Sequence, residues 1–149
     1  MLKRILVPVE VWDASTSIQV LASAAMIARA SGASIVALTV LPDSEAIQRY
    51  KFTTQTFDQA VAVVKGELEG LVRRHIPAEI PWRAAVIRGD IYRKILEAAE
   101  EEQADLIVMA AHSHHLGDFL IGSNAERVTR HARCSVYLVR RHLLSVAST

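Results

Sequence analysis

Five short runs of apolar residues recur along this 149-residue chain, and helix-length segments separate most of them. The runs lie at residues 5–9, 34–41, 82–87, 105–109 and 136–139, and most are rich in branched aliphatic residues. Apolar runs with little alternation are typical of strands buried on both faces of a parallel sheet. Strands that alternate with helices therefore predict a single α/β domain. Its core would be one open, doubly wound sheet of five parallel strands with helices on both faces.

The first segment between runs carries apolar residues at helical spacing and predicts a helix at residues 14–31. Asp13 is expected to cap its amino end, and Gly32 is expected to follow its last residue. The residues at i, i+3, i+4 and i+7 that should face the core are Ile18, Leu21, Ala22 and Ala25.

Three more helices are predicted, at residues 57–76, 91–103 and 124–131. The first of them ends by Ile76, because Pro77 disfavours helix in the residue before it. Asp90 is expected to cap the second. The connection at residues 43–55 has no regular pattern beyond a helical turn at 44–50.

Composition restricts the class of protein. The chain has 17 Lys and Arg against 16 Asp and Glu, so a net charge of +1 excludes a strongly basic nucleic-acid binder. Cys134 is the one cysteine, which excludes a disulfide framework and favours a reducing compartment, so the cytoplasm is the expected location. No apolar run approaches the roughly 20 residues of a membrane span. We expect a domain at residues 1–141 followed by a frayed tail at 142–149.

Doubly wound sheets bind ligands beyond the carboxyl ends of their strands, where the winding reverses. If the first and fourth strands flank that point, the loops at residues 8–13 and 110–123 form the site. The dipeptide Gly122-Ser123 stands directly before the last helix. A helix amino terminus offers unpaired N–H groups and a partial positive charge to a phosphate, and glycine permits close approach. The purely structural alternative makes Ser123 an ordinary N-cap and Gly122 a turn residue.

The sequence around this dipeptide is distinctive. The chain reads Asp-Leu-Ile-Val-Met-Ala-Ala-His from Asp105, Gly-Ser-Asn-Ala-Glu-Arg-Val from Gly122 and His-Ala-Arg-Cys-Ser-Val from His131. With Ile-Leu-Val-Pro-Val from Ile5 and the turn at Gly89, these segments resemble the universal stress protein family in order and spacing. The resemblance covers nearly the whole chain. It implies a Rossmann-like fold and commonly a homodimer joined through the last strand, here Val136, Tyr137, Leu138 and Val139.

One branch of that family binds ATP through a loop of the form Gly-x2-Gly-x9-Gly-[Ser/Thr]. The nearest match here is Ala110-x2-Ser113-x8-Gly122-Ser123, in which both leading glycines are replaced and one residue is missing. An ungapped count back from Gly122 instead places Met109 and His112 at the glycine positions. The altered first half of the loop opposes ATP binding, while the retained Gly-Ser-Asn favours it. If ATP binds, Mg²⁺ is expected to bind with it.

The first loop departs from the ATP-binding branch too. That branch usually has an aspartate soon after Val-Pro, whereas this chain has Val-Glu-Val-Trp-Asp at residues 9–13. Glu10 is suited to accept a hydrogen bond from an adenine amino group or a ribose hydroxyl. Trp12 either stacks on a base or fills the pocket, and Asp13 is the helix cap, a displaced acidic ligand, or both. The resemblance implies nucleotide contacts at Pro8, Val9, Glu10, Asp13, Val40, Ala110, Ser113, Gly122, Ser123 and Asn124.

Three functions remain open at this point. The first is a regulatory, stress-response module that switches on an adenine nucleotide. The second is a nucleotide-free homodimer in which Trp12 fills the pocket and the last strands pair. The third is metal binding through His112, His114 and His115, although no Cys or acidic partner has the spacing of a four-ligand site. No Ser–His–Asp order, paired carboxylates or phosphate-binding P-loop appears, so no residue is predicted to be catalytic.

Overall fold

The computed structural model describes residues 1–42, 57–111 and 121–140. The predicted turn at 44–50 and the predicted tail at 142–149 lie outside the described residues. The helices and strands, in chain order, are β1 (Arg4–Pro8), α1 (Ala14–Ser31), β2 (Ser34–Leu41), α2 (Phe57–His75), β3 (Trp82–Arg88), α3 (Ile91–Glu101), β4 (Leu106–Ala110), α4 (Ser123–His131) and β5 (Ser135–Val139).

The strands form one parallel sheet in the order β3-β2-β1-β4-β5. β1 lies at its centre and pairs with β2 over its full length, from Arg4 opposite Ser34 to Pro8 opposite Leu38. On its other side it pairs with β4, where Ile5 lies opposite Leu106. The winding therefore reverses between β1 and β4, which is the condition under which the loops at residues 8–13 and 110–123 form the site.

Side chains that alternate along the central strands enter two separate cores. Ile5 and Val7 pack in a core with residues of α1 and α2, such as Leu21 and Val64. Leu6 points to the opposite face and packs with residues of α3 and α4. Helices thus cover both faces of the sheet, and the doubly wound α/β prediction is confirmed.

Helix α1 has the predicted bounds, and two of the four residues predicted to face the core, Leu21 and Ala25, are buried, whereas the other two are not. Ile18 is 39% exposed and Ala22 is exposed, whereas Ser17 is buried. The reason is a hydrogen bond: the Ser17 hydroxyl donates to the carbonyl oxygen of Glu10 at 2.7 Å, which removes most of the penalty for burying a polar group. This contact fixes the rotation of the helix, and Ile18 then falls outside the buried stripe. The buried residues of α1 are Ser17, Val20, Leu21, Ala24, Ala25 and Ala28.

Of the other elements, β2 has the predicted bounds, and the rest differ from prediction at one or both ends by one or two residues. Helix α3 ends at Glu101, two residues early, because Gln103 adopts a positive φ of 54° that a helix cannot continue through. After α1, Gly32 adopts φ 78°, the left-handed conformation that favours glycine at this position. In the ranges 1–42, 57–111 and 121–140, no helix is long and apolar enough to cross a membrane.

Candidate functional site

A cavity of about 300 Å³ opens at the carboxyl edge of the sheet, where β1 and β4 end. Nine of the ten predicted nucleotide contacts line it, namely Pro8, Val9, Glu10, Asp13, Val40, Ala110, Gly122, Ser123 and Asn124. The tenth, Ser113, lies outside the described residues. The fold therefore gathers residues from three strands and two loops. The volume of the cavity lies at the lower end of the range for small-molecule sites. That these residues contact a nucleotide stays a prediction.

Backbone carbonyls of the loop after β1 accept hydrogen bonds that hold the loop in place. The Glu10 carbonyl accepts the amide of Asp13 at 3.0 Å as well as the Ser17 hydroxyl. The Val9 carbonyl accepts the hydroxyl of Thr39, which is fully buried, at 2.9 Å. These bonds tie the loop to both β2 and α1, so the side chains it carries meet the cavity at defined positions.

Trp12 forms part of the cavity wall. Its indole is half-buried against the core beneath α1 and α2, and its Nε1 donates to Glu10 Oε2 at 3.2 Å. Both side chains line the cavity, and Trp12 does not fill it, because the cavity of about 300 Å³ lies beside the indole.

Asp13 caps α1, as predicted. Its carboxylate accepts the amide of Thr16 at 3.4 Å and the hydroxyl of Ser15 at 3.3 Å. The carboxylate therefore offsets the positive end of the α1 dipole at the edge of the cavity.

Asp90 is the N-cap residue of α3, as predicted, but its side chain does not cap the helix. The carboxylate makes no capping hydrogen bond and lies 3.4 Å from Arg93 Nε instead. The first residue of α3, Ile91, lines the cavity. A second carboxylate thus stands at a helix amino terminus beside the site.

Helix α4 begins differently from the other two. Gly122 is its N-cap, with no side-chain hydrogen bond, and the Glu126 amide closes the first helical turn on the Gly122 carbonyl at 2.9 Å. The alternative in which Ser123 is an ordinary N-cap is therefore wrong. Gly122 has an extended backbone (φ −63°, ψ 154°), so its conformation does not itself require glycine.

The amide groups of this first turn are unequal. The Gly122 N–H already donates to the Ala111 carbonyl at 2.8 Å. The next three amides, on Ser123, Asn124 and Ala125, have no acceptor inside the helix because they precede its first full turn. All three residues line the cavity. No carboxylate side chain caps α4, so its partial positive charge is directed at this space.

One side-chain atom in the cavity wall lacks a partner. Thr16 lines the cavity, and its buried Oγ1 makes no hydrogen bond to any part of the chain that the structure describes. Buried hydroxyls are usually hydrogen-bonded, so this atom is an exception among the described residues.

Residues of α3 complete an apolar wall that the sequence pattern assigned only to the core. Ile91 and Ile95 line the cavity, together with Leu38, Met109 and Ala125. Helical spacing indicates that Ile91 and Ile95 face inward, but it carries no signal that they end beside a cavity.

Two basic side chains of α4 are engaged away from the site. The Arg127 guanidinium lies 5.0 Å from the centre of the Tyr92 ring, and Arg130 pairs with Glu126 at 2.8 Å. Neither residue lines the cavity, so among the residues that the structure describes the α4 backbone is the source of positive charge at the site.

The metal hypothesis concerns His112, His114 and His115, which lie outside the described residues. Within residues 1–42, 57–111 and 121–140, no three His, Cys, Asp or Glu side chains cluster so as to hold a metal ion.

Comparisons with known proteins find relatives in sequence and in fold. The sequence model of the universal stress protein family (Usp) matches residues 1–140. Universal stress protein G of Shigella flexneri is 30% identical over 143 residues, which cover 94% of this chain and 100% of that relative. The solved structure of universal stress protein UspA from Lactobacillus plantarum matches with a TM-score of 0.72 at 25% identity, over 93% of this chain and 97% of that one.

A second solved structure contains a nucleotide. The universal stress protein from Archaeoglobus fulgidus in complex with dAMP matches with a TM-score of 0.59 at 22% identity, over 93% of this chain and 98% of that one. The family model spans nearly the whole chain, and a full-length relative reaches 30% identity. The chain therefore belongs to the universal stress protein family.

Proposed function

We propose that this protein is a regulatory, stress-response module that binds an adenine nucleotide, ATP with Mg²⁺, in the cavity between the β1 and β4 loops. The uncapped amino terminus of α4 carries the proposal. Three helices begin beside the cavity, and α1 and α3 each have an aspartate at that end. Of these three, only α4 has no carboxylate at its N-cap, and its one first-turn carboxylate, Glu126, pairs with Arg130 at 2.8 Å.

The phosphates would rest on the amides of Ser123, Asn124 and Ala125. The Gly122 amide, which the sequence pattern also favours as a donor, is occupied by the Ala111 carbonyl. The proposed phosphate contacts therefore begin at Ser123, one residue later than the sequence pattern favours. Backbone amides and a helix dipole suit an anion, and the cavity-facing Ser123 hydroxyl adds a further donor.

The adenosine end would lie toward Glu10 and Val40. The Glu10 carboxylate disfavours phosphate near it but accepts hydrogen bonds from an amino group or a ribose hydroxyl. A relative of the same fold is described in complex with dAMP, which supports an adenine nucleotide as the ligand class. Nucleotide binding would shift partner affinity only as far as the nucleotide prefers one conformation of the loops over another.

The test is calorimetric titration of the chain, dialysed after EDTA treatment, with Mg-ATP. Ser123→Asp adds a carboxylate at the first residue of α4, where acidic side chains favour the helix. Ser123→Asn is the uncharged control of the same shape. We expect saturable binding by the wild type, near-normal binding by Ser123→Asn and at least a tenfold loss in Ser123→Asp. Absence of saturable heat from the wild type, or equal affinities of the two variants, would overturn the proposal.

A second function, a homodimeric interaction module that needs no nucleotide, is favoured by strand β5. β5 is an edge strand, paired only with β4 within the described sheet, and Tyr137 on it is 42% exposed. An edge strand of this kind is a template for pairing with a second copy. Sedimentation should give a dimer for the wild type and a monomer for Tyr137→Lys. A wild-type monomer would exclude this second function.

A further inference from the structure

The cavity has two different ends, set by the order of the strands. Val40 lies at the end of β2 and Ala110 at the end of β4, with β1 between them. Two strand spacings separate these ends by about 10 Å. The amides of α4 belong to the β4 end, because Gly122 is hydrogen-bonded to Ala111, directly after β4. A ligand held there by its phosphate would extend its other half toward β1 and β2.

The two long walls of the cavity are formed by opposite faces of the sheet. Trp12 belongs to the core beneath α1 and α2, whereas Val40 and Ile95 belong to the core beneath α3 and α4, with Ile91 packed against it. All four side chains line the cavity. The cavity lining thus combines an aromatic side chain from one core with branched aliphatic side chains from the other, which suits a flat, apolar-faced ring.

The indole is also fixed in place. Its Nε1–H donates to Glu10 Oε2, and the Glu10 backbone is in turn held by the Asp13 amide and the Ser17 hydroxyl. A pre-positioned aromatic ring loses little conformational entropy when a ligand stacks on it.

We infer that Trp12 is the stacking surface for the base of the bound nucleotide and makes the site selective for phosphate esters that carry an aromatic base. This inference rests on the proposed function and names the side chain that distinguishes a nucleotide from a sugar phosphate. Stacking on an aromatic side chain tolerates different bases, since every base has a π face. Discrimination among bases then falls to hydrogen-bonding groups such as Glu10.

Fluorescence provides the first test, because the chain has two tryptophans. The second, Trp82, lies on β3 with the Arg73 guanidinium 5.7 Å from its ring and does not line the cavity. In Trp82→Phe, Trp12 is the single tryptophan. AMP should change its emission saturably, whereas ribose 5-phosphate, which carries the same phosphate without a base, should not.

Affinity provides the second test. Trp12→Leu should weaken AMP binding about 5- to 150-fold, and Trp12→Phe should restore most of it, since stacking on one aromatic side chain has that magnitude. Thermal melts, followed by the circular dichroism of the helices, control for folding. If Trp12→Leu is folded and binds AMP as tightly as the wild type, the stacking role is excluded while nucleotide binding stands. If the wild type binds neither AMP nor Mg-ATP, both proposals fail.

Discussion

The buried hydroxyl of Thr39 donates a 2.9 Å hydrogen bond to the carbonyl oxygen of Val9, thirty residues earlier in the chain. This bond joins the end of β2 to the loop that leaves β1. The Val9 amide donates in the opposite direction, to the carbonyl of Leu38 at 2.8 Å. Together the two bonds carry strand pairing past the last residue of β1 and set the position of Glu10, the next residue in the cavity wall.

Replacing Thr39 with valine should destabilise the fold by about 1 kcal/mol or more, because the Val9 carbonyl loses its buried donor. Thr39→Ser keeps the hydroxyl and should retain that hydrogen bond. Thr129→Val is a matched control, since Thr129 is itself exposed and its hydroxyl bonds the Ala125 carbonyl in a part-buried contact within α4, so its loss should cost less. Urea denaturation measures all three. Equal losses in Thr39→Val and Thr129→Val would contradict a special role for the buried bond.

Replacing Asp13 with alanine should cost about 1 kcal/mol of unfolding free energy, the usual effect of losing an N-cap. Asp13→Asn keeps a side-chain oxygen for the Thr16 amide and should cost much less. The same pair separates the two roles assigned to Asp13. If Asp13→Asn is stable but binds Mg-ATP differently from the wild type, the carboxylate acts on the ligand as well as on the helix.

The Asp105 carboxylate should make stability depend on pH in acid. The backbone amides of Lys3 and Arg4 donate to Asp105 Oδ2 at 2.8 and 3.0 Å, and these bonds hold the pKa of this carboxyl below its usual 3.8. A lowered folded-state pKa stabilises the protein above the unfolded pKa, and that contribution is lost as pH falls through the folded value.

Asp105→Asn should therefore lower Tm at pH 7, and the difference from the wild type should shrink below about pH 4, near the unfolded pKa. Glu101→Gln, an exposed change at the end of α3, serves as the control and should leave Tm nearly unchanged. A difference for Asp105→Asn that stays constant from pH 7 to pH 3 would show that its carboxylate bonds do not contribute in this way.

Cys134 should react slowly with alkylating reagents. Burial raises the pKa of its thiol, so less of the reactive thiolate is present near neutral pH than in the unfolded chain. Iodoacetamide should modify the native protein several-fold more slowly at pH 7.5 than the protein in urea, and the native rate should rise with pH. A native rate equal to the unfolded rate would argue against this protection.

Local patterns in the sequence predicted much of this fold. Apolar runs marked the strands, and Asp13 and Gly32 marked both ends of α1, because capping and periodicity act over a few residues. The preference for right-handed crossovers predicted a doubly wound sheet, while the reversal of winding between β1 and β4 was assumed and is confirmed by the strand order. Membership of the family, and with it the gathering of nine expected residues around one cavity, followed from motifs that survive in order along the chain.

The tertiary structure decided what depends on distant partners. Helical spacing placed Ile18 on the core-facing side of α1, but Ser17, bonded to Glu10, is buried there and the Ile18 side chain is exposed. Gly122 was expected to contact a phosphate, yet its N–H donates to the Ala111 carbonyl instead. Ile91 and Trp12 came to line the same cavity only through packing on opposite sides of the sheet. A sequence fixes which residues are apolar and which can cap a helix. The rotation of a helix and the partner of an amide are chosen by contacts between residues far apart in the chain, and these exist only once the layers have packed.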